Sequence, residues 1–389
     1  MKGLLLEAEW KPRDGYKVSE FERTTGKAVT GSSVWHRPKL RLADLPDAPL
    51  GPKDVRLRVR ACGICGSDVH FYETDKDGYM LYPGLTKFPA FLGHEFSGEV
   101  AEVGSEVTDL VVGDMVTAEE MIWCGECVPC RNGYPNQCLQ LEEIGFTIHG
   151  AMAEFIVIGA KYCWKINELA EVYGSMDRAY EAGAVCEPTC VSYNAMFSRA
   201  GGFKPGGYVT VFGTGPIGLA GVALAKAAGA GRVIAFDVSP ARRELAKKMG
   251  ADFAYDPVDL GRQGTRPRDV IMEATKGEGA DLHFEAAGSP PLTIPEMEAS
   301  MAVGGKIVII GRASERVPMY LENFQTRAAQ LYGAQGHSGY GNFPSVIRLM
   351  AARRIDMTQI VTNRFPLDRG VEAIQTATKR EGGKILVLP

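Results

Sequence analysis

The sequence predicts a chain of mixed class, with a β-rich unit and an α/β unit built on a doubly wound parallel sheet. Three observations point there. Residues 1–160 run as short β-rich segments broken by Gly and Pro. From about residue 189, apolar β-branched runs alternate with helical segments. At 389 residues the chain also exceeds the roughly 250–300 residues at which single cores stop growing.

In the first part, VRLRVRA (55–61), FSGEVAEVG (96–104) and DMVTAEE (114–120) have the alternation and β-branched content of strands. They predict a compact, partly barrel-like unit. Residues 11–34 are polar and lack a clear period, so an irregular loop or an oligomer contact is expected there. In the second part, YVTVFG, RVIAFD, DFAYD, LHFEAAG, KIVIIG and AQLYGAQG are spaced by helical segments. Strands apolar on both faces are those of a parallel sheet covered by helices. One helix is fully punctuated: Ser239 can N-cap, Pro240 takes the first helical position, and Gly250 follows ARRELAKKM. The tail from about 341 ends in KILVLP, a strand that could return to the β-rich unit.

Composition narrows the partners. Hydrophobic residues make up 45% and charged residues 23%, and the formal net charge is −4. Lys and Arg are scattered, so no basic stripe for nucleic acid is expected. No apolar run approaches the roughly 20 residues that span a bilayer. MKGLLLEAEW is too short for a signal-peptide core, so a cytoplasmic chain without membrane contact is expected. In a reducing compartment its nine cysteines read as ligands or core thiols rather than disulfides.

Gly213-Thr214-Gly215-Pro216-Ile217-Gly218 directly follows the strand YVTVF and opens the helix PIGLAGVALAKAAG. The next strand ends at Asp237, nineteen residues beyond Gly218. A glycine triplet alone is weak, but this context is the one a dinucleotide site requires. The first glycine permits the turn, the second lets backbone approach a pyrophosphate, and the third lets helix and strand pack closely. The helix N-terminus offers free N–H groups to the phosphates. Asp237 would accept hydrogen bonds from a ribose 2′-hydroxyl and repel a 2′-phosphate, so NAD is expected over NADP. Arg242 and Arg243 stand nearby; they could accommodate a phosphate, or simply form a solvated helix face. Ala286, in Glu285-Ala286-Ala287-Gly288, and Ile310, before Gly311, end later strands and are expected to approach the cofactor. His337 is a candidate for substrate or nicotinamide contact, or a loop histidine with neither.

Cys124, Cys127, Cys130 and Cys138 fall within fifteen residues, in a segment tightened by Gly125, Pro129, Gly133 and Pro135. Four thiolates closing a tetrahedron make a structural zinc site with no open position. An iron–sulfur cluster is the rival, but its usual cysteine runs have a different last spacing.

Three separated pieces offer a second donor set: Cys65 in CGICGSDVH (62–70), Gly93-His94-Glu95, and Cys186-Glu187-Pro188. One soft thiolate, one imidazole and carboxylates suit a zinc ion that keeps an open coordination position. Taken singly, each residue reads equally as a core histidine, a helix-start glutamate or a buried thiol, and CGIC alone has the spacing of a redox pair. Cys62, Cys163, Cys186 and Cys190 read as core thiols.

In this order, CGICGSDVH, GHEFSGEVAEVG, the four-cysteine segment, CEPTCVSYNA and GTGPIG resemble the zinc-dependent medium-chain dehydrogenases, the family of alcohol, sorbitol and threonine dehydrogenases. The resemblance covers nearly the whole chain. It implies a GroES-like catalytic domain over 1–188, with 336–389 returning to it, interrupted by a Rossmann NAD-binding domain over 189–335, and an active site in the cleft between them. It implies Cys65, His94 and Glu187 as catalytic zinc ligands, with Glu95 able to join them, and a second, structural zinc on the four cysteines. It also implies a proton relay through Ser67 and His70, and a homodimer or homotetramer. Glu187 stands where many alcohol dehydrogenases carry a second cysteine, which is the habit of the polyol and threonine branch.

DKDGYMLYPGLTKFPAFLGHE, EEMIWCGECVPC, GAQGHSGYGNFP and the long N-terminal stretch are similar to the scyllo-inosose dehydrogenase subgroup. The implied reaction is hydride transfer between a secondary hydroxyl of a small polyhydroxylated substrate, a cyclitol or polyol, and NAD. A linear polyol, 2,3-butanediol or L-threonine is the alternative substrate. A metallo-hydrolase would have no use for the nucleotide site, and an NAD-binding regulator would have none for an open zinc.

Overall fold

The computed structural model describes residues 1–312 and 316–389. The chain forms two compact units. One comprises Met1–Glu187, Val361–Arg380 and Lys384–Pro389; the other comprises Pro188–Ile360 and Glu381–Gly383.

The first unit is built around the strand Asp54–Gly63. Val55, Leu57, Val59 and Ala61 are buried while Arg58 and Arg60 face solvent, the two-residue period of a half-buried strand. It pairs antiparallel with Glu95–Val103, with Phe155–Gly159 and, at its far end, with Lys384–Leu388. The sheet continues through Met115–Ala118 to Cys163–Lys165 on one side and Val361–Pro366 on the other. Lys2–Trp10 and Trp35–Asp44 form a second antiparallel pair, in register from Lys2 opposite Asp44 to Trp10 opposite Trp35.

Between those two strands the structure corrects the expectation of an irregular loop. Residues Glu20–Thr25 and Gly31–Val34 are helical. The first helix has reciprocal caps: Glu22 N donates to Ser19 Oγ at 3.2 Å, and Ser19 N donates to Glu22 Oε2 at 2.8 Å. The S-x-x-E spacing of a capping box was present in the sequence, but without a long apolar period behind it. Ala28 and Thr86 exchange backbone hydrogen bonds of 2.8 and 3.0 Å. The Arg13 guanidinium lies 3.9 Å from the Tyr79 ring centroid and pairs with Asp75. The excursion is therefore stitched to residues 74–88.

The second unit holds six parallel strands: Tyr208–Phe212, Arg232–Phe236, Phe253–Tyr255, Ala280–Glu285, Met301–Ile309 and Gln330–Gly333. Numbered along the chain, their spatial order is 3-2-1-4-5-6, the doubly wound order of dinucleotide-binding sheets. The order reverses beside Tyr208–Phe212, so loops at the carboxyl ends of the first and fourth strands diverge and leave a crevice there. Ser239 caps Pro240–Lys248 as its position suggested, accepting from Arg242 N.

The sequence placed the return to the first unit at 336; in the structure it begins at Val361. Side chains explain the difference. Asn194 Nδ2 donates to Gly336 O at 2.9 Å, and Ser198 Oγ donates to Asn342 Oδ1 at 2.6 Å, tying this segment to the helical stretch Asn194–Arg199 of the second unit. Among the described residues no helix is long and apolar enough to cross a membrane.

Candidate metal and nucleotide sites

In the first unit, Cys65, His94 and Glu95 come together: one donor atom from each lies within 4.8 Å of the other two. Cys65 precedes the helix Gly66–Tyr72. His94 and Glu95 open the strand Glu95–Val103. Gly93 makes the turn into them, with φ +92°; a Cβ there would stand 2.6 Å from both Cys62 Sγ and Met152 Cγ, so only glycine fits.

Asp68 ties the two pieces together. Its Oδ2 accepts from Cys65 N at 2.8 Å, and its Oδ1 faces His94 Nδ1 at 3.8 Å. Burial opposes a charge on His94, yet Asp68, Cys65 and Glu187 hold its pKa well above the usual imidazole value. A carboxylate behind a ligand imidazole fixes its orientation and raises its basicity. The His94 ring also packs 4.7 Å from Phe146, then through Phe71 (5.2 Å), Phe88 (5.5 Å), Trp35 (5.4 Å) and Trp10 (5.1 Å), mostly edge to face.

Glu95 is shared. Lys384 Nζ, buried on the last strand, donates to Glu95 Oε1 at 2.6 Å and to Ile64 O at 2.9 Å. Removing one partner of such a pair strands a buried charge at about 3–5 kcal/mol. The lysine thus competes with a metal for Glu95. Glu187 lies outside the close triple but in the same surroundings: burial, then Glu95, push its carboxyl upward, with His94 pulling the other way. Its nearest acidic neighbour is Glu120, whose carboxylate oxygen lies within 4.8 Å of that of Glu187. Ser67 Oγ is buried and makes no hydrogen bond. His70, half-buried, stands three residues further along the same helix.

The four cysteines Cys124, Cys127, Cys130 and Cys138 also converge, all within 4.8 Å. Cys138 Sγ is 3.6 Å from Cys124 Sγ and 3.8 Å from Cys127 Sγ. A tetrahedron with metal–sulfur bonds of about 2.3 Å has edges of about 3.8 Å, whereas a disulfide bond is only about 2.05 Å long. Backbone N–H groups of Cys130 and Leu139 pull the Cys127 thiol down to about 6, while burial pushes Cys130 up to about 12. A divalent cation resolves that conflict by stabilising all four thiolates together. Cys62, Cys186 and Cys190 are buried free thiols and Cys163 is a partly buried one.

In the second unit, Gly213 adopts φ +84° at the end of Tyr208–Phe212. A Cβ on Gly218 would run into the Gly213 carbonyl, which is the close helix–strand approach the fingerprint needs. Pro216 and Ile217 begin the helix Pro216–Ala227. Asp237 Oδ2 accepts from Thr214 N at 2.7 Å and Oδ1 from Ser239 N at 2.8 Å, so it braces the turn and keeps acceptor capacity on each oxygen. Ala286 and Ile310 sit half-buried at strand ends; Ala286 N donates to Phe212 O at 2.8 Å. Arg242 is no solvated helix residue: it is half-buried, its Nε donates to Gly382 O at 3.1 Å, and its Nη1 stands 3.9 Å from where a Cβ on Gly215 would lie. Arg243 is tied to Asp237 O and Asp256 instead. His337 is buried against the Phe343 ring.

Comparison with known proteins agrees with both halves. The family model for the alcohol dehydrogenase GroES-like domain matches residues 51–168, and that for zinc-binding dehydrogenases matches 216–352. The chain is 43% identical over 386 residues, 96% of each chain, to scyllo-inosose 3-dehydrogenase of Thermotoga maritima. The chain belongs to the zinc-dependent medium-chain dehydrogenases.

This dehydrogenase is also 33% identical to L-threonine 3-dehydrogenase of Bacillus subtilis, over 90% of this chain and 94% of the other. A solved structure of an alcohol-dehydrogenase-like protein from Thermotoga maritima superposes on it with a TM-score of 0.95 at 42% identity, covering all of both chains. The dehydrogenase therefore combines a GroES-like unit with a Rossmann unit, and uses zinc and a nicotinamide cofactor. Two residues of its site had no role in the sequence reading. Asp68 was legible, three positions after Cys65 at a helix start, where a carboxylate caps. Glu120 was not, because its neighbour Glu119 is chemically identical and only the fold separates their surroundings.

Proposed function

We propose that the protein oxidises a secondary hydroxyl of a cyclic polyol, of the inositol and scyllo-inosose class, with NAD as hydride acceptor and two zinc ions per chain. The observation that carries the reading is the mixed thiolate, imidazole and carboxylate set of Cys65, His94 and Glu95, with Ser67 and His70 on the helix that Cys65 begins. Such a set suits a zinc ion with an open position. When bound, zinc supplies the Lewis acidity that makes an alcohol acidic near neutral pH, and nicotinamide accepts the hydride. Cys65, His94 and Glu187 hold the metal, and Glu95 exchanges between it and Lys384. Ser67 Oγ, without a hydrogen bond of its own, takes the substrate proton; His70, one helical turn on and half-exposed, passes it towards solvent.

The cyclic substrate rests on similarity to scyllo-inosose 3-dehydrogenase over nearly the whole chain. L-threonine, favoured by the next relative, is the second reading, and linear polyols and butanediol belong to the same chemistry. A panel of scyllo-inosose, inositols, sorbitol, 2,3-butanediol and L-threonine, followed by NADH absorbance, decides among them. A cyclic polyol is expected to give the highest kcat/KM; no turnover of any cyclic polyol removes the substrate assignment. We also assign NAD preference to Asp237. Losing its charge in Asp237→Ser is expected to raise KM for NAD about 10-fold or more and to narrow the gap to NADP. An unchanged NAD/NADP ratio would locate selectivity elsewhere. A homo-oligomer in the cytoplasm completes the reading, to be checked by sedimentation and cell fractionation.

A further inference from the structure

Glu119 and Glu120 are adjacent in the sequence and part company in the fold. Glu119 is occupied structurally: its Oε2 accepts from Trp123 Nε1 at 3.0 Å and its Oε1 from Trp164 Nε1 at 3.1 Å. Glu120 faces the metal donors instead. Its carboxylate oxygen lies within 4.8 Å of the Glu187 donor atom, and its side chain is almost entirely buried, at 5% exposure. The main chain holds it firmly. Glu119 N donates to Tyr162 O at 2.9 Å, Ile144 N donates to Glu120 O at 3.0 Å, and Met121 pairs with Glu143. A side chain on such a rigid support keeps its position when a ligand arrives.

The metal chemistry leaves Glu120 over. Three protein donors complete a catalytic zinc shell, and Cys65, His94 and Glu187, with Glu95 exchanging, already supply them. An ionised carboxylate only accepts hydrogen bonds. Beside the position where a hydroxyl meets the metal, the groups that can satisfy it are further hydroxyls of the same substrate. We propose that Glu120 contacts the substrate, accepting hydrogen bonds from hydroxyls that flank the reacting carbon, and so selects polyols over simple alcohols. This rests on the polyol reading above. Selection works in both directions. A vicinal hydroxyl gains a charge-assisted hydrogen bond, while a hydrocarbon ring would press an apolar surface against a buried carboxylate.

The test is Glu120→Gln, which keeps the shape, with Glu120→Ala as a second variant. Each is assayed on the best cyclic polyol of the panel and on cyclohexanol, which offers the reacting hydroxyl alone. Zinc per chain is measured by metal analysis. The dissociation constant of the polyol from the NADH complex is read by nicotinamide fluorescence. For the polyol, kcat/KM is expected to fall about 10- to 100-fold, mostly through KM, with binding weakened in parallel. For cyclohexanol it is expected to hold within about 3-fold or rise, since only the flanking contact is lost. Zinc content is expected to stay at the native value. An equal loss on both substrates, an unchanged polyol KM, or a loss of zinc would each overturn the assignment. Native enzyme that turns over no polyol overturns both this and the reading beneath it; active native enzyme with an indifferent Glu120→Gln overturns this alone.

Discussion

Replacing His94 by alanine is expected to lower kcat by about three powers of ten, because Lewis-acid activation is worth several kcal/mol. The catalytic metal is expected to be lost with it. His94 has neighbours that serve only to hold it: Asp68 behind the ring, Phe146 against its face, and Gly93 forcing the turn. None of these can replace a nitrogen donor. NAD binding, followed by fluorescence, is expected to stay native, since the nucleotide turn lies in the other unit. Glu187→Ala is expected to retain more metal than His94→Ala, because its donor atom lies outside the close triple. Near-native turnover of His94→Ala, or greater metal loss from Glu187→Ala, would reverse the order of importance assigned to these ligands.

The second large effect concerns the lobe around Cys124–Cys138. Its short helix Val128–Arg131 buries no residue, and Val128 and Leu139 are 69% and 74% exposed. Apolar burial therefore contributes little to its order. Structural zinc in comparable peptides contributes about 10 kcal/mol or more of folding free energy. Cys130→Ser, or strong chelation, is expected to release one metal equivalent and expose the segment 124–140 to protease. The sheet around Asp54–Gly63 is expected to remain folded. Mass spectrometry of the fragments locates the cut. A chelated protein that resists cleavage there would mean that protein contacts alone hold the lobe.

How much of this was legible depended on whether the chemistry lay in one stretch of chain. The four cysteines, the glycine turn with Asp237, and the caps of Pro240–Lys248 are local patterns, and each formed where its spacing indicated. The helix Glu20–Thr25 was missed although its cap was local, because a single turn has too few apolar positions to show a period. Arg242 was read as solvated because a helix wheel does not show the chain that crosses it; here Gly382 arrives from far along the sequence. Lys384 gave no signal at all. A lone lysine in KILVLP looks like a strand edge, and only the pairing of that strand with Asp54–Gly63 turns its ammonium onto Glu95.

By itself, the sequence determined which donors exist and which turn can accept a dinucleotide, since spacing, glycine geometry and ligand softness are properties of short segments. Tertiary structure alone decided which acids share the metal's surroundings. Glu95, Glu120 and Glu187 are far apart along the chain and alike in chemistry. Their roles follow from what each meets: Lys384 at Glu95, and Glu187 at Glu120. The physical reason is that a carboxylate's charge, pKa and partners are set by desolvation and by neighbours within a few ångströms, and those neighbours are brought together only by folding.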